Sequence, residues 1–96
     1  MADVELLPIA RHEYAEAFQW YAEQSVVAAE RFTAEFEAAM AAILRDPDRY
    51  PRWDDRYRFY LLDKFPYFIA YRRENELIVV VAVRHTSRDQ DVWKGR

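Results

Sequence analysis

The chain has no cysteine and a single glycine, Gly95, among its 96 residues. The missing cysteines exclude disulfides, thiolate chemistry and cysteine-ligated zinc. Small secreted domains usually lean on disulfides, so this composition points to a reducing cytoplasm. One glycine cannot build a phosphate-cradling loop, and the turns must rest on Asn, Asp, Ser and Pro. No apolar run reaches the roughly 18 residues that a membrane span requires. The start, MADVELLPIA, lacks the basic and long apolar stretches of a signal peptide. No repeat, low-complexity tract or linker divides the chain, and no spacing of His, Asp and Glu suggests a metal site. The expectation is a single domain over residues 1–96, without metal or cofactor and off the membrane.

What is present suits a packed core. Apolar residues make up 52% of the chain and aromatics 17%, well above disordered compositions. A chain of this length buries roughly 60–70% of its unfolded surface, enough for one core. The net charge is −3 but unevenly spread. Residues 1–46 hold nine acids and three bases, whereas residues 47–96 hold eight acids and eleven bases. Any contact with a polyanion would use the second half, although an acidic helical surface needs no functional reason.

The hydrophobic period changes along the chain. Val4 to Ile9 is a short apolar run containing Pro8, expected as an edge strand ended by that proline. Arg11 to Gln24 reads as a helix with Tyr14, Phe18, Tyr21 and Ala22 on one face. Ser25 breaks the pattern and can cap a second helix, Val26 to Arg45. Ala29, Phe32, Phe36, Ala39, Met40 and Ile43 form its expected buried side, with Glu30, Glu35 and Glu37 facing water. Asp46-Pro47 ends it, because a residue before proline is pushed out of the helical region. The short join makes the helices a hairpin.

Pro47 to Asp55 (PDRYPRWDD) is a loop. The period then becomes two: Tyr57, Phe59 and Leu61 alternate with Arg56, Arg58 and Tyr60. Asp63-Lys64 is a turn, Phe68 to Arg73 a strand, and Glu74-Asn75 a tight turn, since asparagine tolerates left-handed backbone. Leu77 to Val83 is almost wholly apolar and β-branched, a central strand covered on both faces or by a partner on one. The fold class is α+β in the order β-α-α-β-β-β. The N-terminal helical hairpin packs on a small, mostly antiparallel sheet, since both elements have an apolar side to hide.

Several pieces of the sequence, taken in order, resemble one family. WYAEQS ends the first helix and AAERFTAEF lies in the second. DPDRYP, FPYFIAYR and IVVVAVRH follow, and the tail carries Ser87-Arg88, Trp93 and Arg96. The order and spacing of FPY, AVRH, Arg88 and Trp93 resemble the RelE/ParE superfamily of type II toxin–antitoxin toxins, most closely its ParE-like plasmid-stabilisation branch. The resemblance implies a cytoplasmic toxin neutralised by a cognate antitoxin whose C-terminal segment wraps it. It leaves the action open: growth inhibition through DNA gyrase, cleavage of ribosome-bound mRNA, or a non-toxic relative.

The residues that could carry chemistry cluster after the central strand. For RNA cleavage, His85 would be the acid/base, Arg84 and Arg88 the phosphate clamps, and Trp93 a stacking platform for a base. Lys94, Arg96, Arg56 and Arg58 are further target-binding candidates, and Arg72 and Arg73 are placed near them. Each has a structural alternative. His85 can bond a loop, Trp93 can dock on the sheet, and Arg84 can be a solvated strand end. Arg88 and Arg96 can pair with Asp89 or Asp91. His12 is expected at the surface or in a cap, and a Ser87-His85-Asp89 triad lacks an oxyanion loop. Tyr14, Phe18, Tyr21, Phe32 and Phe36 exceed what a small core needs, and some could line a groove for the antitoxin. The chain has no tyrosine after Tyr71, a departure from the nuclease branch that favours gyrase inhibition, in which case the protein is no enzyme.

Overall fold

Pro8 opens the first helix instead of closing the first strand. In a computed structural model that describes residues 3–88 and 92–96, strand β1 spans Asp3–Leu6 and helix α1 spans Pro8–Gln24. Proline suits the first helical position, where its missing N–H would have no partner anyway and its fixed φ is already helical. Helix α2 spans Val26–Arg45. Ser25 caps it through its side chain, which accepts from the Ala28 N–H at 3.3 Å, and Asp46 ends it before Pro47.

The strands β2 (Arg58–Leu61), β3 (Tyr67–Glu74) and β4 (Leu77–His85) form an antiparallel meander. Asn75 closes the β3–β4 turn with φ of 54°, the left-handed conformation expected of it. β1 adds on the far side, parallel to β4, giving the order β1-β4-β3-β2. The apolar strand β4 is therefore central, as its composition requires.

Both faces of the sheet are covered. On one face the hairpin delivers Phe32, Phe36, Ala39 and Ile43 from α2 and Ala10 and Ala17 from α1 onto Ile69, Tyr71, Ile78, Val80 and Val83. Met40 is only half-buried, and Glu35 turns back to accept from the backbone N–H groups of Asp63 and Lys64. On α1 the fully buried positions are the small residues Ala10 and Ala17, while Tyr14 and Tyr21 are half-buried and Phe18 is exposed. On the other face, the 50–57 loop and the 92–96 segment bring Trp53, Tyr57 and Trp93 against Phe68, Ala70, Val79, Val81 and Ala82. Tyr57 and Phe59 point to this second face, and Leu61 is exposed.

A bulge lets β4 serve both layers. Ala70 pairs with Ala82 and Tyr71 with Val80, so Val81 is an extra residue in β4. The extra residue leaves Val81 and Ala82 on the same layer before Val83 returns to the hairpin side.

Candidate functional site

β1 has four residues and β4 has nine, so on its β1 side the end of β4 runs on without a strand partner, although β3 still pairs with its other edge. Two side chains take over. The last strand-like bond on that edge is Leu7 N–H to the Val80 carbonyl at 3.0 Å. Beyond it, Arg96 Nη1 donates to the Val81 carbonyl at 3.1 Å, and Glu13 Oε1 accepts from the Val83 N–H at 3.0 Å. Glu13 also receives Arg84 at 2.9 Å and Arg96 at 3.0 Å. The three side chains are 11–14% exposed. One carboxylate thus holds two guanidinium groups and blocks a sheet edge open to another strand. Glu13 passes unnoticed in the sequence as one more acid on an acidic helix, because its partners lie about 70 or more residues away.

This network is one wall of a cleft of about 230 Å³ beyond the end of β4. Tyr67 and His85 pair across the β3–β4 ladder and meet edge to face at 5.2 Å. His85 Nδ1 accepts from the Ser87 N–H at 3.0 Å and lies 2.8 Å from Ser87 Oγ. The neutral ring therefore carries its proton on Nε2. Exposed Arg88 and half-exposed Trp20 complete the rim. Burial raises the Tyr67 phenol above its usual pKa, helped by Glu16 and opposed by Arg88. Burial also raises Tyr21, with Tyr67 adding to it.

The candidates named from sequence do not form one site. Arg84, His85 and Arg88 share this cleft, but Arg84 is committed to Glu13. Trp93 is fully buried between Trp53 and Tyr57, at 5.2 Å and 4.9 Å, so it presents no ring face to a base. Arg96 joins the Glu13 network. Asp89 and Asp91, its expected partners and those of Arg88, lie outside the described residues, as does the third member of the Ser87-His85-Asp89 set. Lys94 lies 3.9 Å from Asp54. His12 pairs on the surface with Glu16 at 3.3 Å.

Arg56, Arg58, Arg72 and Arg73 lie at the opposite end of the sheet. Arg58 pairs with Tyr71, and Arg73 with Ile78. Along β3, four to six residues separate them from Tyr67, about 13–20 Å at 3.3 Å per residue. They line a second cleft of about 180 Å³. Tyr71 sits at its base, and its hydroxyl donates to the Pro47 carbonyl at 2.6 Å. Burial pushes this phenol up to about 12. Beside the cleft, Asp54 accepts from the N–H groups of Arg56 and Tyr57 at 2.8 Å and 2.9 Å. These bonds hold its carboxyl below the usual range, helped by Lys94 and Arg56.

The expected aromatic groove is mostly filled. Tyr14 packs on Phe36 at 4.4 Å and on Phe32 at 5.6 Å. Of the five aromatics only Phe18 is exposed, and the hairpin also exposes Ile9, Trp20, Val26 and Val27. Among the described residues no group of His, Asp and Glu gathers to hold a metal ion, and no helix is long and apolar enough to cross a membrane.

A family model described as the ParE toxin of the type II toxin–antitoxin system parDE matches residues 4–90. Among solved structures, a chain of the chromosomal ParDE TA system from P. aeruginosa superposes with a TM-score of 0.73. It is 11% identical, and the alignment covers 91% of this chain and 98% of that one. No curated protein matches.

Proposed function

Because the chain belongs to the ParE toxin family of type II toxin–antitoxin systems, we propose that it arrests growth by poisoning DNA gyrase and is neutralised in the cytoplasm by a cognate antitoxin. On this reading it is an inhibitor and catalyses no reaction of its own. The observation that carries the choice is the commitment of Arg84 and Arg96 to Glu13, with Trp93 fully buried. A nuclease needs free guanidinium groups aimed at a phosphate and a ring face for a base. Here two largely buried arginines, Arg84 and Arg96, pair with one carboxylate, and Trp93 closes a core.

The hairpin exposes apolar side chains, Trp20, Val26 and Val27 among them, against which an antitoxin segment could bury apolar surface. The helices around them are acidic, so a basic amphipathic segment fits. Co-expression with the antitoxin should restore growth and yield a co-purifying complex.

The test is induction without antitoxin, with supercoiling assayed on purified gyrase and mRNA integrity scored in parallel. Trapped DNA breaks, lost supercoiling and intact transcripts are expected. Full supercoiling at excess toxin refutes gyrase as the target.

One observation favours a second reading, cleavage of ribosome-bound mRNA. Tyr67 stands beside His85 and Arg88, supplying in space the tyrosine that the tail lacks. That reading requires transcript cleavage that His85→Ala or Arg84→Ala removes.

A further inference from the structure

We propose that the arginine-lined cleft at the start of β2 is a phosphodiester site that takes the backbone of DNA. Five guanidinium groups line it, those of Arg52, Arg56, Arg58, Arg72 and Arg73, against two carboxylates, Asp48 and Asp55. Arg73 pairs with Asp48 at 3.0 Å and Arg72 with Glu74. The other three have no carboxylate within ion-pair distance among the described residues. Arg58 donates to the Tyr50 carbonyl at 2.7 Å and Arg52 to the Asp55 carbonyl at 3.5 Å. Arg56 lies over the Tyr57 ring, 5.5 Å from its centroid.

The sharpest observation is that Arg52 and Arg58 oppose one another across an isolated antiparallel bridge. Side chains so placed stand about 4.5–5.5 Å apart at Cβ, and like charges there are destabilising. An anion between them would convert the repulsion into two charge-assisted contacts. The carbonyl tethers hold the forks in place beforehand, which lowers the entropy lost on binding. The cleft, about 180 Å³, has room for a phosphate group, which would displace some of the water that fills it.

A phosphodiester chain fits better than a single carboxylate. Planar guanidinium forks match phosphate oxygens in pairs, and a strand of nucleic acid brings a second charge to Arg72 and Arg73 nearby. The gyrase reading motivates only the choice of DNA as the polyanion. The cleft is tested without gyrase, so either idea can fail alone.

The test is fluorescence anisotropy of the full chain with a labelled DNA duplex, repeated over a salt series. Binding in the nonspecific range of roughly 10⁻⁴–10⁻⁶ M is expected, with log K falling about 0.9 per log unit of salt for each phosphate contacted. The variant Arg52→Gln/Arg56→Gln should cut that slope by about 2, with an unchanged circular dichroism spectrum. Arg58 is left intact because it also ties down the loop. Arg31→Gln/Arg45→Gln, on α2, should leave binding unchanged. No binding, or binding indifferent to the Arg52/Arg56 pair, overturns the proposal. Equal competition by a poly-glutamate peptide would assign the cleft to an acidic protein segment, and complete displacement by millimolar inorganic phosphate to a small ligand. Either result overturns the DNA assignment.

Discussion

Replacing Glu13 by alanine should cost this fold more than any other single acidic residue. The change removes one carboxylate from three donors: Arg84 at 2.9 Å, Arg96 at 3.0 Å and the Val83 N–H at 3.0 Å. The arginines are left 13% and 14% exposed, without the carboxylate that pairs with both among the described residues. Removing one partner of a buried ion pair typically costs about 3–5 kcal/mol, and an orphaned backbone N–H about 1–3. The slight exposure lets water reach the charges, so the low end, about 3 kcal/mol, is the expected loss. That is a large part of the 5–15 kcal/mol that holds a domain together. At about 4–8 °C per kcal/mol for a chain of this size, the melting temperature should fall by roughly 12–24 °C. Urea denaturation should show a lower midpoint at unchanged slope. Glu16→Ala, in an exposed pair with His12, is the control and should cost at most about 1 kcal/mol. A loss below 1 kcal/mol for Glu13→Ala would refute the view that this carboxylate closes the edge of β4.

Trp93→Ala should cost about 3–5 kcal/mol in urea denaturation, as expected for a fully buried aromatic. Trp93→Phe should cost less than half of that, because it deletes a buried Nε1 that has no hydrogen-bond partner among the described residues. Tyr71 sets an alkaline limit. Its pKa near 12 in the folded state lies above that of the unfolded chain, so its contribution is complete below pH 10. It is lost as pH rises toward 12, at about 1.36 kcal/mol per unit. Stability profiles should show Tyr71→Phe falling less steeply there than the parent, and parallel slopes would contradict it. Ser25→Ala should cost about 1 kcal/mol by removing the cap of α2, read as a small shift in the urea midpoint.

The helical hairpin is legible because its signals are local. Ser25 and Asp46-Pro47 mark both ends of α2, and the spacing of Phe32, Phe36, Ala39 and Ile43 marks its buried side. Pro8 misleads because proline ends strands and starts helices equally well, and only the position of β4 decides which. Alternation in residues 57–61 reveals a strand but not which face each side chain meets. Tyr57 and Phe59 went to a second core that exists only because the 50–57 loop and the 92–96 segment fold over the sheet. The site was less legible for the same reason. Arg84, His85 and Arg88 are neighbours in sequence and stay together. Arg56 and Arg58 end at the other side of the sheet, and Glu13 is joined to its partners only by the completed fold.

The parallel pairing of β1 with β4 also sets a timetable for synthesis. Asp3 pairs with Leu77 and Leu6 with Val80, so the first strand made waits for the last. At about 5–20 residues per second, roughly 4–15 s separate them on the ribosome. During that interval the α1–α2 hairpin can form, but its apolar side has no central strand to cover it, and Glu13 has neither Val83 nor Arg84 to bind. A chain interrupted before residue 77 would lose the middle of the sheet, not merely an edge. Its sheet is therefore completed only by contacts of long sequence range, which pay their loop-closure cost before they are made.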